Sequence, residues 1–146
     1  MQSLERLLAK LAKRTNARWW AGRRPEVRDG QLAMTIAGLV SYPTATDFPF
    51  SEKHLVRLTW SQAAHVLALA GTTSLAYGPP APRRGAVEEA AEALKELGHD
   101  AAFFSNGLWN LQANRAWNPL TSATFDCGLI GYDAENAFIF WVEEED

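Results

Sequence analysis

Hydrophobic residues recur with helical spacing in three parts of the chain. The first is residues 3–15, where four leucines share one stripe: Leu4, Leu7, Leu8 and Leu11. Thr59 and Gln62 have the spacing of a capping box, which predicts that a second, largely apolar helix begins there and ends at Gly71. A third helix is predicted over residues 86–97, with glutamates on its outer face.

Six other segments have patterns typical of strands. They cover residues 32–40, 54–59, 101–105, 108–112, 124–132 and 137–143. In the first of them Leu32, Met34 and Ile36 alternate with smaller residues, and Asn106-Gly107 predicts a hairpin between the third and fourth. The last strand is apolar on both faces and should be central or covered on both sides. Residues 18–25 are interpreted as a short extended or loop segment.

The order of these elements predicts the fold class. Because the strands follow one another as neighbours, hairpins are favoured over repeated βαβ units. We therefore expect an α+β fold, a mainly antiparallel sheet of about six strands with about three helices packed on one face. The length of 146 residues is typical of one domain, so residues 1–146 are interpreted as a single α+β domain.

Composition places the chain among ordinary globular proteins. Hydrophobic residues make up 47% and charged residues 21%. The lone Cys127 excludes an internal disulfide and fits a reducing compartment. The first residues lack the apolar stretch of a signal peptide, and no apolar run reaches the length of a membrane span. A cytoplasmic protein without a membrane partner is expected.

Charge is distributed unevenly along the chain. Residues 1–30 carry a net charge of +5 and the remainder −8, within a total of −3. A basic first helix is compatible with nucleic acid or a membrane surface, but a solvated helix face is the favoured interpretation. No nucleic-acid partner is therefore predicted. The chain ends with four consecutive acids, residues 143–146, which can attract a basic partner.

No catalytic or metal-binding signature stands in the sequence, and no cofactor is predicted. The three histidines are far apart and none has metal-ligand spacing. Cys127 alternates with Phe125 and Leu129, which predicts a buried thiol, whereas Asp126 points to the opposite face. Asp126 becomes of interest if that face is covered. Gly128 and Gly131 are interpreted as places where large rings must fit.

The region around residues 106–118 combines asparagines with tryptophans, which is typical of a polar, aromatic-rich loop and not of a catalytic set. Its tryptophans either pack within the core of the loop or form a protein interface, where Trp and Arg are favoured. Trp109 and Trp117 are the predicted anchors, with Asp126 and the terminal acids steering a partner by charge. The complete predicted partner-binding set is Trp109, Asn110, Arg115, Trp117, Asp126, Glu143, Glu144, Glu145 and Asp146.

Three segments of the last third of the chain resemble the small immunity proteins that bacteria carry beside secreted or contact-delivered toxins. They are residues 105–110 (Ser-Asn-Gly-Leu-Trp-Asn), residues 117–126 and the end Phe140-Trp-Val-Glu-Glu-Glu-Asp146. The resemblance implies a single α+β domain that binds and blocks a cognate protein toxin, with acidic and aromatic residues facing it. It implies no catalytic residue, so a non-enzymatic inhibitor is the first hypothesis.

Two alternatives remain open. A small enzyme or ligand-binding domain would have a pocket between sheet and helices, with His65, Cys127 and Asp126 as its polar set. A pocket joining the three would favour this hypothesis. A homo-oligomeric structural protein, such as a homodimer, would instead have an exposed sheet edge or aromatic patch that pairs with its own copy.

Overall fold

A computed structural model describes residues 1–45, 50–76, 81–109 and 117–145. In these residues the chain forms four α-helices and five strands, apart from a short 3₁₀ turn at Glu52–His54. In chain order they are α1 (Gln2–Ala12), β1 (Ala17–Arg23), α2 (Asp29–Gly38), β2 (Val56–Leu58), α3 (Trp60–Thr72), α4 (Arg84–Leu94), β3 (Ala102–Ser105), β4 (Phe125–Tyr132) and β5 (Asn136–Glu144). The predicted α+β class is confirmed, with five described strands in place of about six and four helices in place of about three.

The strands form one antiparallel sheet in the order β1-β5-β4-β3-β2. The β4–β5 hairpin was expected from sequence, and its register runs from Phe125 opposite Glu144 to Tyr132 opposite Ala137. In its turn the carboxylate of Asp133 accepts the backbone N–H groups of residues 135 and 136, as an Asp in a tight turn commonly does.

Helices cover both faces of the sheet. Helices α1, α3 and α4 share one hydrophobic cluster with the residues of β5 that include Phe138 and Phe140. Helix α2 packs on the other face, against Ile139 and Trp141. This explains why residues 137–142 are apolar throughout and at most 4% exposed, as their pattern predicts. The expectation that the helices lie on one face is wrong, because α2 was not recognised as a helix.

The interpretation of residues 32–40 as a strand is wrong, because residues 32–38 belong to α2 and residues 39 and 40 follow its end. The alternation of large and small residues there fits a strand, but the buried positions are 32, 33, 36 and 37, a stripe with helical spacing. Alanines at two of these positions are apolar enough to be buried, so both periodicities were present. The helix is favoured because this stripe fits against the sheet.

The second predicted helix is confirmed at its start. The hydroxyl of Thr59 accepts the backbone N–H of Gln62 at 3.2 Å, and the Gln62 side chain accepts the Thr59 N–H at 2.9 Å. This reciprocal cap satisfies two backbone donors that the first helical turn leaves without a partner. Helix α3 therefore begins where its local sequence predicts.

Two other local predictions need correction. The segment 18–25, interpreted as extended or loop, is extended over most of its length, because residues 17–23 form β1, which pairs with β5 more than 100 residues later. The hairpin predicted at Asn106-Gly107 does not form, because Asn106 is fully buried and Gly107 instead bridges to Trp117. Residues 108 and 109 are not in a strand, and residues 110–112 lie outside the described residues.

The two glycines of β4 leave room for aromatic rings, as predicted. A Cβ at Gly128 would overlap the indole of Trp141, and one at Gly131 would overlap the rings of Phe138 and Phe103. Rings from neighbouring strands thus occupy the space that side chains on β4 would need.

Candidate functional site

Asp126 is a fully buried carboxylate on the face of β4 that α2 covers. Its Oδ1 accepts hydrogen bonds from Asn106 Nδ2 at 2.8 Å, Trp141 Nε1 at 3.0 Å and Leu120 N at 3.2 Å. Its Oδ2 accepts from the backbone N–H and the hydroxyl of Thr121, at 3.3 and 3.2 Å. These donors come from three separate parts of the chain, so Asp126 joins them at one point.

Burial raises the pKa of Asp126, and the hydrogen bonds from Trp141, Leu120 and Thr121 lower it by less. Among the described residues no lysine or arginine forms an ion pair with this carboxylate. The carboxylate is therefore stabilised by N–H and O–H dipoles, not by a counter-charge. Helix α2 covers the face of the sheet that carries Asp126, so the condition under which this carboxylate becomes a candidate functional group is met.

Asn106 is the second centre of this buried network. Its Nδ2 also donates to the carbonyl of Asn118 at 3.0 Å, and its Oδ1 accepts from Trp109 Nε1 at 3.1 Å. The backbone N–H of Asn118 donates to the Asn106 carbonyl at 2.8 Å. Together with Asp126, Asn106 holds residues 105–109 and 117–121 side by side.

The two predicted aromatic anchors lie next to this network. Trp109 is 2% exposed and stacks on Trp117, with ring centroids 5.3 Å apart. Trp117 also lies 5.7 Å from the ring of Phe125. Trp117 and Phe125 are only partly buried, so part of each ring faces solvent. The sequence predicts both tryptophans as anchors, but in this structure only Trp117 has accessible surface.

The acids at the end of β5 make specific bonds within the molecule. The Tyr42 hydroxyl donates to Glu143, and Arg18 lies 3.5 Å from the same carboxylate. Burial raises the pKa of Tyr42, and the bond to Glu143 raises it further. The Arg18 guanidinium also lies over the Tyr42 ring, 4.7 Å from its centroid. This cluster fastens the end of β5 to β1 and to the chain after α2.

Glu144 and Glu145 also bond to neighbouring segments. Glu144 accepts the Ser74 hydroxyl and, at 2.7 Å, the backbone N–H of Leu75. Glu145 is exposed and accepts the Thr124 hydroxyl at 2.6 Å. The acidic end therefore has contacts that its composition did not indicate.

The sheet register brings part of the predicted partner-binding set together. Phe125 pairs with Glu144 across the two central strands, so Trp117, Phe125, Glu144 and Glu145 lie at one end of the sheet. We refer to these four residues as the aromatic–acidic end. Asn110, Arg115 and Asp146 lie outside the described residues.

Two members of the predicted set need a different description. Trp109 and Asp126 are buried, so neither offers surface for direct contact in this structure. Their contacts support the segment that carries Trp117. Sequence reasoning missed Asn106 and Tyr42, because nothing in their local pattern indicates a buried hydrogen bond to a distant carboxylate.

The polar set proposed for an enzyme site is not assembled. Cys127 is buried on the face covered by α1, α3 and α4, whereas Asp126 is on the opposite face of the same strand. His65 hydrogen-bonds the Trp109 carbonyl through Nε2 at 3.0 Å. A single pocket cannot join all three side chains across the sheet. In the described part of the chain, no three potential metal ligands cluster.

Comparisons with known proteins add no relative to this description. No protein-family model, no curated protein and no solved structure matches the chain. No helix within the described ranges has the length and apolar character needed to cross a membrane.

Proposed function

We propose that this chain is a non-enzymatic protein-binding domain, an immunity protein that neutralises a cognate bacterial toxin by direct binding in the cytoplasm. The observation that carries the proposal is the partly exposed Trp117, stacked on the buried Trp109 beside carboxylates at the aromatic–acidic end. Tryptophan is among the residue types that contribute most to binding at protein interfaces.

The support beneath Trp117 favours binding because it reduces the entropy that a partner must overcome. The rings of Trp109 and Phe125 both pack against the Trp117 ring. The Trp109 indole is itself fixed, because its Nε1–H donates to the side-chain oxygen of Asn106. The bridge between Gly107 and Trp117 also fixes the backbone. A side chain already held in its bound orientation loses less freedom on association.

Charge at this end of the sheet favours a basic partner. Glu145 is exposed and Glu144 partly so, and residues 31–146 carry a net charge of −8. Carboxylates at the rim of an interface mainly raise the association rate, and that effect weakens with salt. A basic toxin surface is therefore the expected complement.

The first test is co-expression with the products of neighbouring genes in the source genome, to find one with a toxic domain. The wild-type chain should restore growth and copurify with that domain. Trp117→Ala should weaken the complex by about 2 kcal/mol, roughly 30-fold in Kd. Trp60→Ala is the control, because Trp60 also has accessible surface (37% exposed) but packs against Phe103 at the start of α3, whereas Trp117 stacks on Trp109.

Equal effects of the two tryptophan substitutions would contradict the proposed surface, provided that both variants unfold at the same urea concentration as wild type. Copurification without protection would contradict the inhibitor role. The steering role has its own test. Glu145→Gln should slow association at low salt and have little effect at high salt, and an association rate indifferent to both would refute it.

A further inference from the structure

The two edges of the sheet differ in how far they are protected. Strand β2, at one edge, has only three residues, and short edge strands give another chain little to pair with. Strand β1, at the other edge, has seven residues and pairs with β5 in an unbroken register from Ala17 to Arg23. It contains neither a proline nor a bulge, two of the features that commonly blunt an edge.

Hydrogen bonds at both ends of β1 show which of its backbone groups face outward. Arg24 N donates to the Glu135 carbonyl at 2.9 Å, and Glu143 N donates to the Asn16 carbonyl at 3.3 Å. Because bonding alternates along an antiparallel pair, even-numbered residues of β1 bond to β5. The N–H and C=O groups of Trp19 and Ala21 therefore face away from the sheet, as do those of Ala17 and Arg23. No described residue bonds these outward groups.

Two tryptophans flank this free edge, one on each face of the sheet. Trp19 packs against the cluster of α1, α3 and α4, and Trp20 packs against the cluster of α2. Both rings are partly exposed. An added strand with apolar side chains on both faces would cover them, as cross-strand neighbours do within a sheet.

Charge distinguishes between two candidate occupants of this edge, a second copy of the chain and a segment of another protein. Strand β1 contains Arg18 and Arg23 but no acid. It continues into a cleft of about 1150 Å³ lined by Arg23 and Arg28, neither of which forms an ion pair with a described residue. Glu26 and Glu135 also line the cleft, and Arg24 is paired with an acid of α2.

A second copy of the chain fits this edge poorly. In an antiparallel pair of β1 strands, the Arg23 end of one copy would lie beside the Ala17 end of the other. That end carries no acidic residue, so Arg23 would gain no opposite-charge partner from a second copy. A partner segment with a carboxylate near Arg23 would instead gain an opposite-charge pair.

We propose that the free edge of β1 receives an extended, acid-bearing segment of the protein partner as an additional antiparallel or parallel strand. This inference rests on the proposed protein-binding role, and it names a second contact separate from the aromatic–acidic end. Main-chain hydrogen bonds would provide the affinity, with Trp19, Trp20 and Arg23 selecting the side chains of the segment.

A peptide titration tests the edge without requiring the toxin. The probe is a short capped peptide of alternating valine and threonine with glutamate at each end, so that it can pair in either direction. Its addition should shift the NMR amide signals of Trp19, Ala21 and Arg23 and slow their hydrogen exchange. The same peptide with lysine at each end should bind at least about tenfold more weakly.

Two substitutions at one position isolate the backbone contact. Ala21→Pro removes an N–H that faces outward and leaves the ladder to β5 intact, so it should reduce peptide affinity at least about tenfold. Ala21→Val keeps the N–H and should bind like wild type. If Ala21→Pro fails to fold, Arg23→Glu provides the second test, because it should reverse the preference between the glutamate and lysine peptides.

Three results would overturn the inference: no shift in β1, equal binding of both peptides, or a concentration-dependent dimer that Ala21→Pro dissolves, which would assign the edge to a second copy. Toxin binding that Trp117→Ala weakens and Ala21→Pro leaves unchanged would also overturn it while the proposed function stands. Peptide binding at β1 without any toxin binding would contradict the proposed function, while the free edge would remain a site for an added strand.

Discussion

Replacing Asp126 by alanine should destabilise the protein more than any surface substitution. Asp126→Ala removes the acceptor used by Trp141 Nε1 and by the backbone N–H groups of Leu120 and Thr121. All three donors belong to buried residues, where water cannot replace the lost bond. Asn106 is affected less, because its Nδ2 keeps two carbonyl acceptors.

The magnitude follows from these three donors. A buried donor without a partner costs about 1–3 kcal/mol. Removing a desolvated carboxylate returns part of that cost, because its raised pKa shows that the ionised form is disfavoured in the folded state. We therefore expect a net loss of about 3–5 kcal/mol, comparable to breaking a buried polar network. Domains of this size are stable by about 5–15 kcal/mol, so the variant should be folded but fragile.

Urea unfolding at neutral pH, followed by far-UV circular dichroism, measures this loss. Asp126→Asn should lose less, about 1–2 kcal/mol, because it retains one acceptor oxygen while its amide faces the Thr121 N–H. Asp100→Ala is the control, since Asp100 is exposed and makes no described hydrogen bond. Near-UV circular dichroism should also change in Asp126→Ala, because the Trp109–Trp117 stack loses support. A loss below about 1 kcal/mol for Asp126→Ala would refute the reasoning.

Three further predictions concern stability. Glu144→Gln should lower the free energy of unfolding in urea by about 1–2 kcal/mol, because the Glu144 carboxylate accepts hydrogen bonds from partly buried donors. Glu145→Gln, at the exposed Thr124 contact, should lower it by less than about 0.5 kcal/mol, and equal losses would contradict this prediction. Gly131→Ala should lower the free energy of unfolding by about 1–3 kcal/mol, because its Cβ would overlap the rings of Phe138 and Phe103. Gly30→Ala, whose Cβ meets open space in α2, should be neutral or stabilising. Burial raises the pKa of Asp126 above 3.8, so the folded state binds this proton more readily than the unfolded chain. The free energy of unfolding of wild type relative to Asp126→Asn should therefore be greatest below pH 3.8 and fall as pH rises through the raised pKa. Urea titrations in which this difference increases with pH would contradict the raised pKa of Asp126.

Patterns contained within a few residues predicted several elements correctly. The capping box of α3 needs only Thr59 and Gln62, and the leucine stripe of α1 lies within three turns. The β4–β5 hairpin joins neighbouring strands through a turn that Asp133 stabilises locally. In each case the determining contacts lie close together in the chain, so local sequence was sufficient.

Predictions failed where distant contacts outweighed local preference. Asn106-Gly107 is a strong hairpin signal, but the Asn106 side chain is drawn into the core by a carboxylate 20 residues away. Residues 32–37 fit two periodicities, and the packing of α2 on the sheet favours the helical one. The segment that contains Trp19 and Trp20 forms a strand because β5 supplies the hydrogen-bonding partners of its backbone.

By itself, the sequence determined that this chain has an α+β core, a buried thiol at Cys127 and a glycine-containing strand that accommodates rings. Only the tertiary structure decided that Asp126 joins three chain segments, that Trp117 keeps accessible surface while Trp109 does not, and that β1 has a free edge. The physical reason is that hydrophobic periodicity reports which face of an element is apolar. Which distant donor meets a buried carboxylate, and which strand edge stays open, depend on how the elements pack together.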